Sequence, residues 1–78
     1  MKRFAVDSSN LLEVGYDLNS KTLEVVFVSD PRWVYTYQKI PMIQFVRLIT
    51  AESVGVFFNK EIRSKQDKFP YSRRKVKV

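Results

Sequence analysis

Thr22-Leu23-Glu24-Val25-Val26-Phe27-Val28, then Ser29-Asp30-Pro31-Arg32, then Trp33-Val34-Tyr35-Thr36-Tyr37-Gln38 is the stretch on which the fold turns. Its two outer runs are β-branched and aromatic. Leu23, Val25 and Phe27 share one face of the first, and Trp33, Tyr35 and Tyr37 share one face of the second. Successive side chains on a strand point to opposite faces, so this period of two predicts two strands. Pro31 is suited to the second position of the turn between them. Upstream, Leu12, Val14, Tyr16 and Leu18 alternate with Glu13, Gly15 and Asp17, and Asn19-Ser20-Lys21 has turn chemistry. The three runs predict an antiparallel meander, with Phe4-Ala5-Val6 as a short further strand at its edge.

Downstream the period changes. Pro41 stands where a helix begins, because its missing N–H costs nothing there. Met42, Phe45 and Leu48, and Ile43, Val46 and Ile49, recur at helical spacing. Only Gln44 and Arg47 are polar, which predicts a helix covered over most of its circumference. Ser53 can cap a second helix. Val54, Phe57, Phe58 and Ile62 form its apolar stripe, opposite Lys60, Glu61 and Arg63. Glu61 and Lys65 stand four apart in the favourable order for a helical ion pair. Gly55 in the first turn costs ~1 kcal/mol of helix propensity relative to Ala, which predicts close approach of another element. Pro70 ends any helix by about Phe69. The expectation is an α+β fold: a single domain over residues 1–71, built as an antiparallel three- to four-stranded meander followed by two helices packed on one face, with a basic C-terminal tail at 72–78.

The chain has 78 residues, 45% hydrophobic, with only 2 Gly, which fits one domain with one modest core. It has no Cys and no His. Disulfides and thiolate metal sites are thereby excluded, and the commonest general base and metal ligand is missing. No apolar run reaches the ~18 residues of a membrane helix. The basic start, Met1-Lys2-Arg3, lacks the apolar segment of a signal peptide. These features predict a cytoplasmic, non-catalytic binding module with no cofactor, no metal, no membrane association and no small-molecule substrate. Ser8-Ser9-Asn10 reads as turn or capping chemistry, since a nucleophilic serine needs a base and an orienting group. Asp7, Glu13, Asp17 and Glu24 read as the solvated side of a sheet.

Charge is unevenly placed. Residues 1–40 carry 5 basic and 5 acidic side chains, whereas residues 60–78 carry 8 basic against 2 acidic, the whole net charge of +6. Such asymmetry points to a polyanion partner. The candidate nucleic-acid-binding residues are Lys60, Arg63, Lys65, Arg73, Arg74, Lys75 and Lys77. The alternative partner is an acidic protein, which would make the domain a protein–protein adaptor. Tyr35 and Tyr37, extended by Trp33, admit two roles: a stacking platform for unpaired bases, or core packing beneath the helices with their hydroxyls at the rim.

The motifs run in a fixed order. Ser8-Ser9-Asn10, Val14-Gly15-Tyr16-Asp17 and Leu23-Glu24-Val25 lead to Tyr35-Thr36-Tyr37. Ile40-Pro41, Ala51, Ser53, Gly55, Phe57-Phe58-Asn59, Ile62-Arg63 and Phe69-Pro70-Tyr71 follow. This series resembles the KTSC family, small domains found at the C-terminus of some lysyl-tRNA synthetases and alone in short bacterial and phage proteins. Tyr35 and Tyr37 match the family's Tyr-x-Tyr hallmark. The turn at Ser29–Trp33 departs from the usual glycine-rich one, and Val56-Phe57 stands where a basic residue followed by Tyr is common. The resemblance implies the α+β plan and, through the synthetase association, a nucleic-acid-binding role with RNA favoured over DNA. The family's occurrence in short bacterial and phage proteins sets the alternative, an adaptor in a bacterial or phage assembly.

Overall fold

The computed structural model describes residues 2–76. The elements in order are β1 (Phe4–Ala5), β2 (Leu11–Asp17), β3 (Thr22–Phe27), β4 (Trp33–Tyr37), α1 (Met42–Ile49), α2 (Val54–Phe58), which runs on into a π-helical turn at Asn59–Arg63, and β5 (Tyr71–Lys75). The antiparallel meander and the two helices are as expected, but the sheet has five strands in the order β1-β2-β3-β4-β5 rather than three or four. The fifth is the segment read as a basic tail. Tyr37 pairs with Tyr71, Tyr35 with Arg73 and Trp33 with Lys75, all antiparallel. The pairing continues at both ends, where Gln38 N–H donates to Pro70 O at 2.9 Å and Val76 N–H to Arg32 O at 2.7 Å. All five residues of β5 are exposed, so the strand has no apolar face for a sequence pattern to register.

The core lies between the sheet and the helices. Leu11, Val14, Leu23, Val25, Tyr37, Leu48, Phe58 and Ile62 belong to one buried cluster. Phe58, wholly buried, meets Phe27 edge-on at 5.6 Å and Tyr37 edge-on at 5.4 Å. Truncating a buried aromatic of this kind costs about 3–5 kcal/mol. In β2 the expected phase is interrupted. Leu11 pairs with Phe27 and Glu13 with Val26, so Leu12 is the extra residue of a bulge. Leu11 and Val14 therefore both face inward, and Leu12 is exposed.

The helices follow local chemistry closely. Pro41 is the N-cap of α1, one residue before the first helical position. Ser53 caps α2, its Oγ accepting from Val56 N–H at 3.4 Å. Gly55 meets the neighbour its sequence position predicts: a Cβ there would lie 3.0 Å from Ser8 Oγ and 3.1 Å from Asn10 Cβ. Ser8 Oγ accepts from the N–H groups of both Asn10 and Leu11, which fixes that loop as a hydroxyl-closed turn. Lys65 Nζ bonds Glu61 Oε1 at 3.1 Å, the ion pair expected from spacing. One helical expectation fails. On α1 only Leu48 is buried, while Met42, Ile43, Val46 and Ile49 are exposed. Its one packed face is carried by Leu48 and by Phe45, whose ring stacks on Tyr16 at 4.7 Å.

Candidate nucleic-acid interface

The strand register sorts the basic side chains onto opposite faces of the sheet, and that sorting defines the site. Tyr71, Arg73 and Lys75 alternate with Ser72 and Arg74 along β5. Arg73 points to the helix side, where its guanidinium lies 4.4 Å from the centre of the Trp33 ring and its Nη1 donates to Tyr35 Oη at 3.3 Å. Tyr71 sits on the same side, with ring centroids 5.2 Å from Tyr37 in a stacked arrangement and 5.7 Å from Tyr35. Arg63, from the π-helical turn, brings its guanidinium to 5.3 Å from the centre of the Phe27 ring. Phe27 in turn meets Tyr35 edge-on at 5.0 Å. The result is a strip along β4 and β5, beyond the helices, in which Trp33, Tyr35 and Tyr71 alternate with Arg73, Lys75 and Arg63. A guanidinium over an aromatic face is held by the ring quadrupole and keeps its outer edge free to donate.

The hallmark tyrosine pair divides its duties. Tyr37 is only 2% exposed and belongs to the core. Burial pushes its phenol up to about 12, with the nearby Arg63 guanidinium opposing the rise. A base could reach that ring only by displacing Tyr71 and Phe58. Tyr35 is half-buried, with its hydroxyl at the rim holding Arg73. Tyr71, which the sequence offers as a residue pinning the basic segment to the core rather than as a stacking aromatic, is 42% exposed and lies over both strand tyrosines. Its signal was present in the pairing of Phe69-Pro70-Tyr71 with a basic run, but without the strand register nothing tied it to Tyr35.

The other expected phosphate contacts are not gathered here. Arg74 is on the opposite face, where its Nη1 donates to Glu24 Oε2 at 3.2 Å. Arg3 Nη1 approaches the other oxygen, Glu24 Oε1, at 2.8 Å, and Arg3 Nε reaches Glu13 Oε1 at 3.3 Å. Glu24 is thereby clamped between two arginines and only 8% exposed, which corrects the expectation that it lies on a solvated face. These carboxylate bonds, Glu24's first, hold the Arg3 guanidinium above its ordinary pKa. The same face buries Val34, which stands across from Arg74, and Val26, across from Glu13. The clamp thus covers apolar surface as well as pairing charge. Lys65 is occupied by Glu61, and Lys60 lines a depression with Ala51, Ser53 and Phe57, away from the strip. Lys77 lies outside the described residues. Among those residues, no group of three or more acidic side chains is placed to hold a metal ion.

A meander carrying two helices on one face, with a Tyr-x-Tyr strand next to its last strand, is the small α+β class to which this chain belongs. The chain is a member of the KTSC family: the model of the KTSC domain matches residues 7–65. An uncharacterized protein of Stutzerimonas stutzeri is 40% identical over 60 residues, covering 77% of this chain and 82% of that protein. The crystal structure of a KTSC domain protein from Yersinia pestis superposes with a TM-score of 0.78 at 30% identity, covering 97% of each chain.

Proposed function

We propose that this domain is a non-catalytic module that binds single-stranded nucleic acid, RNA in preference to DNA, along the β4–β5 strip. The observation that supports it is the interleaving of accessible and half-buried aromatic rings with arginines on one surface: Arg73 over Trp33, and Tyr71 beside Tyr35. Aromatic faces accept stacked bases without regard to sequence, at ~1–3 kcal/mol per base, and neighbouring cations track the phosphates. Tyr71 is the exposed ring of the group, Trp33 and Tyr35 are half-buried, and Tyr37 is buried. The concentration of charge in residues 60–78 favours a polyanion over a neutral partner.

The test is a titration of the domain, followed by Trp33 fluorescence, with single-stranded RNA and with duplex DNA at two salt concentrations. RNA is expected to bind at low salt and to weaken steeply as salt rises, because phosphate contacts release counterions. Arg73→Ala with Lys75→Ala should weaken it, and Tyr71→Ala should remove about 1–3 kcal/mol. Arg74→Ala should leave it nearly unchanged, since Arg74 faces the other way. Absence of RNA binding at low salt ends the proposal.

A second role, as a protein–protein adaptor, is favoured by the exposed apolar side of α1, where Met42, Ile43, Val46 and Ile49 lie together. Ile43→Arg separates the two. It should abolish an association made through α1 and leave RNA binding untouched.

A further inference from the structure

At the end of the sheet remote from Trp33 lies a cleft of about 770 Å³ whose charged lining residues are Lys21, Lys39 and Lys68, with no acidic side chain among them. The size suits a small organic ligand. Three separate segments supply the lysines: the β2–β3 turn, the link from β4 to α1, and the approach to β5. These segments are tied together by hydrogen bonds, two between backbone groups and one from a side chain. Ile40 N–H donates to Lys21 O at 2.9 Å, Gln38 N–H to Pro70 O at 2.9 Å, and Tyr16 O–H to Ile40 O at 2.6 Å. The lysines therefore project from a framework fixed by hydrogen bonds rather than from loose loops.

Two of the three are also in an unusual backbone state. Lys21 and Lys39 have φ of 55° and 62°, and they are the positive-φ residues among those described. Side chains with a Cβ seldom occupy this region, and glycine or asparagine is the usual choice. Here lysine stands at both positions, and both flank the same cleft. Among the described residues, none of the three lysines is paired with a carboxylate. Thr36 and Gln38 add neutral hydrogen-bonding groups from the end of β4, while Phe69 and Pro41 give the cleft an apolar side. The Lys68 ammonium lies 5.5 Å from the centre of the Phe69 ring, which holds it at the cleft.

We infer that this cleft is a site for a terminal phosphate group carrying a compact organic body. Three ammonium groups without counter-charges match a phosphate dianion, which lysine binds as a point charge. Thr36 and Gln38 can donate to its oxygens, and the apolar side accommodates a ring. The group can come from a free mononucleotide or from the 5′-phosphorylated end of a strand. The site does not depend on the β4–β5 strip, which shares none of these lysines.

The experiment follows backbone amide shifts in the full chain at low salt with AMP, adenosine, and a short oligonucleotide bearing either a 5′-phosphate or a 5′-hydroxyl. AMP is expected to move Lys21, Thr36, Gln38 and Lys39 saturably, and adenosine is expected not to. Lys21→Asn, Lys39→Asn and Lys68→Gln combined should weaken AMP at least about tenfold, since they remove all three charge-assisted contacts. Asparagine tolerates the left-handed backbone, so the variant should keep its thermal unfolding midpoint. Arg73→Ala should leave AMP binding unchanged even if RNA binding is lost, which separates this site from the strip. A response to AMP assigns the free mononucleotide. A response only to the 5′-phosphorylated strand, and not to its 5′-hydroxyl counterpart, assigns strand ends. Equal responses to AMP and adenosine, full AMP affinity in the triple variant, or no response at these amides would overturn the inference.

Discussion

Glu24 is the residue whose environment departs furthest from its appearance in the sequence. It alternates with apolar neighbours in β3, as a solvated residue should, yet it is 8% exposed and bonded to Arg3 and Arg74. Its partners stand 21 and 50 positions away, so nothing local announces them. Removing the carboxylate leaves two guanidinium groups that can still reach water, being partly exposed. The expected loss for Glu24→Gln is therefore about 1–2 kcal/mol, below the 3–5 typical of a fully buried pair. Denaturant unfolding measures it, and Glu24→Gln combined with Arg74→Ala should cost less than the two changes summed. Tyr37 makes a different prediction. Its pKa rises from 10.0 in the unfolded chain to about 12 in the folded one, because burial disfavours the phenolate. The folded state thus holds the proton more tightly. The associated stability is complete below about pH 10 and is lost as pH climbs toward 12. Unfolding free energy measured over that interval should fall in the native protein and fall less in Tyr37→Phe. Leu12 shows the opposite kind of illegibility: its alternation with Val14 was plain, but a bulge of one residue reverses a face, and no side-chain pattern marks where the extra residue goes.

Among the elements, β2, β3, β4 and the cap of α2 were legible because each has a one-sided pattern or a dedicated residue, such as Ser53. β5 was not. Its five exposed residues, four polar or charged after Tyr71, make an edge strand defined by backbone pairing with β4 rather than by a buried face. Candidate site residues were legible as a list but not as a geometry, since only the register shows that Arg73 and Lys75 face one way and Arg74 the other. Charge on an edge strand also discourages pairing with a second chain. Ending the chain at Pro70 should therefore do more than remove cations. It strips β4 of its partner and Glu24 of Arg74. A loss of ~2 kcal/mol would lower Tm by roughly 8–16 °C in a domain of this size. Light scattering should show association of the shortened chain through the bared β4 edge, and a shortened chain that stays monomeric with an unchanged midpoint would show β5 to be a passenger.

At the scale of the whole molecule, the sheet separates two jobs. The helix side carries the core and, beyond the helices, the aromatic and cationic strip. The other side carries the Arg3–Glu24–Arg74 clamp, which ties the N-terminal segment, the middle strand and the last strand together. Every sheet pairing up to β4 joins neighbours along the chain, whereas β4 with β5 joins residues 33–37 to residues 71–75 across both helices. Pairings between distant segments close a large loop and come late in folding. Arg74→Ala should accordingly speed unfolding and leave the refolding rate nearly unaltered, as measured by stopped-flow mixing, because late contacts are absent from the transition state. On the ribosome, Tyr71–Lys75 leaves the exit tunnel after the meander and both helices. Until it does, the nascent domain presents β4 as a bare edge and lacks the Tyr71–Arg73 half of its aromatic and cationic strip. A newly made chain therefore covers its aggregation-prone edge and completes that strip in the same event.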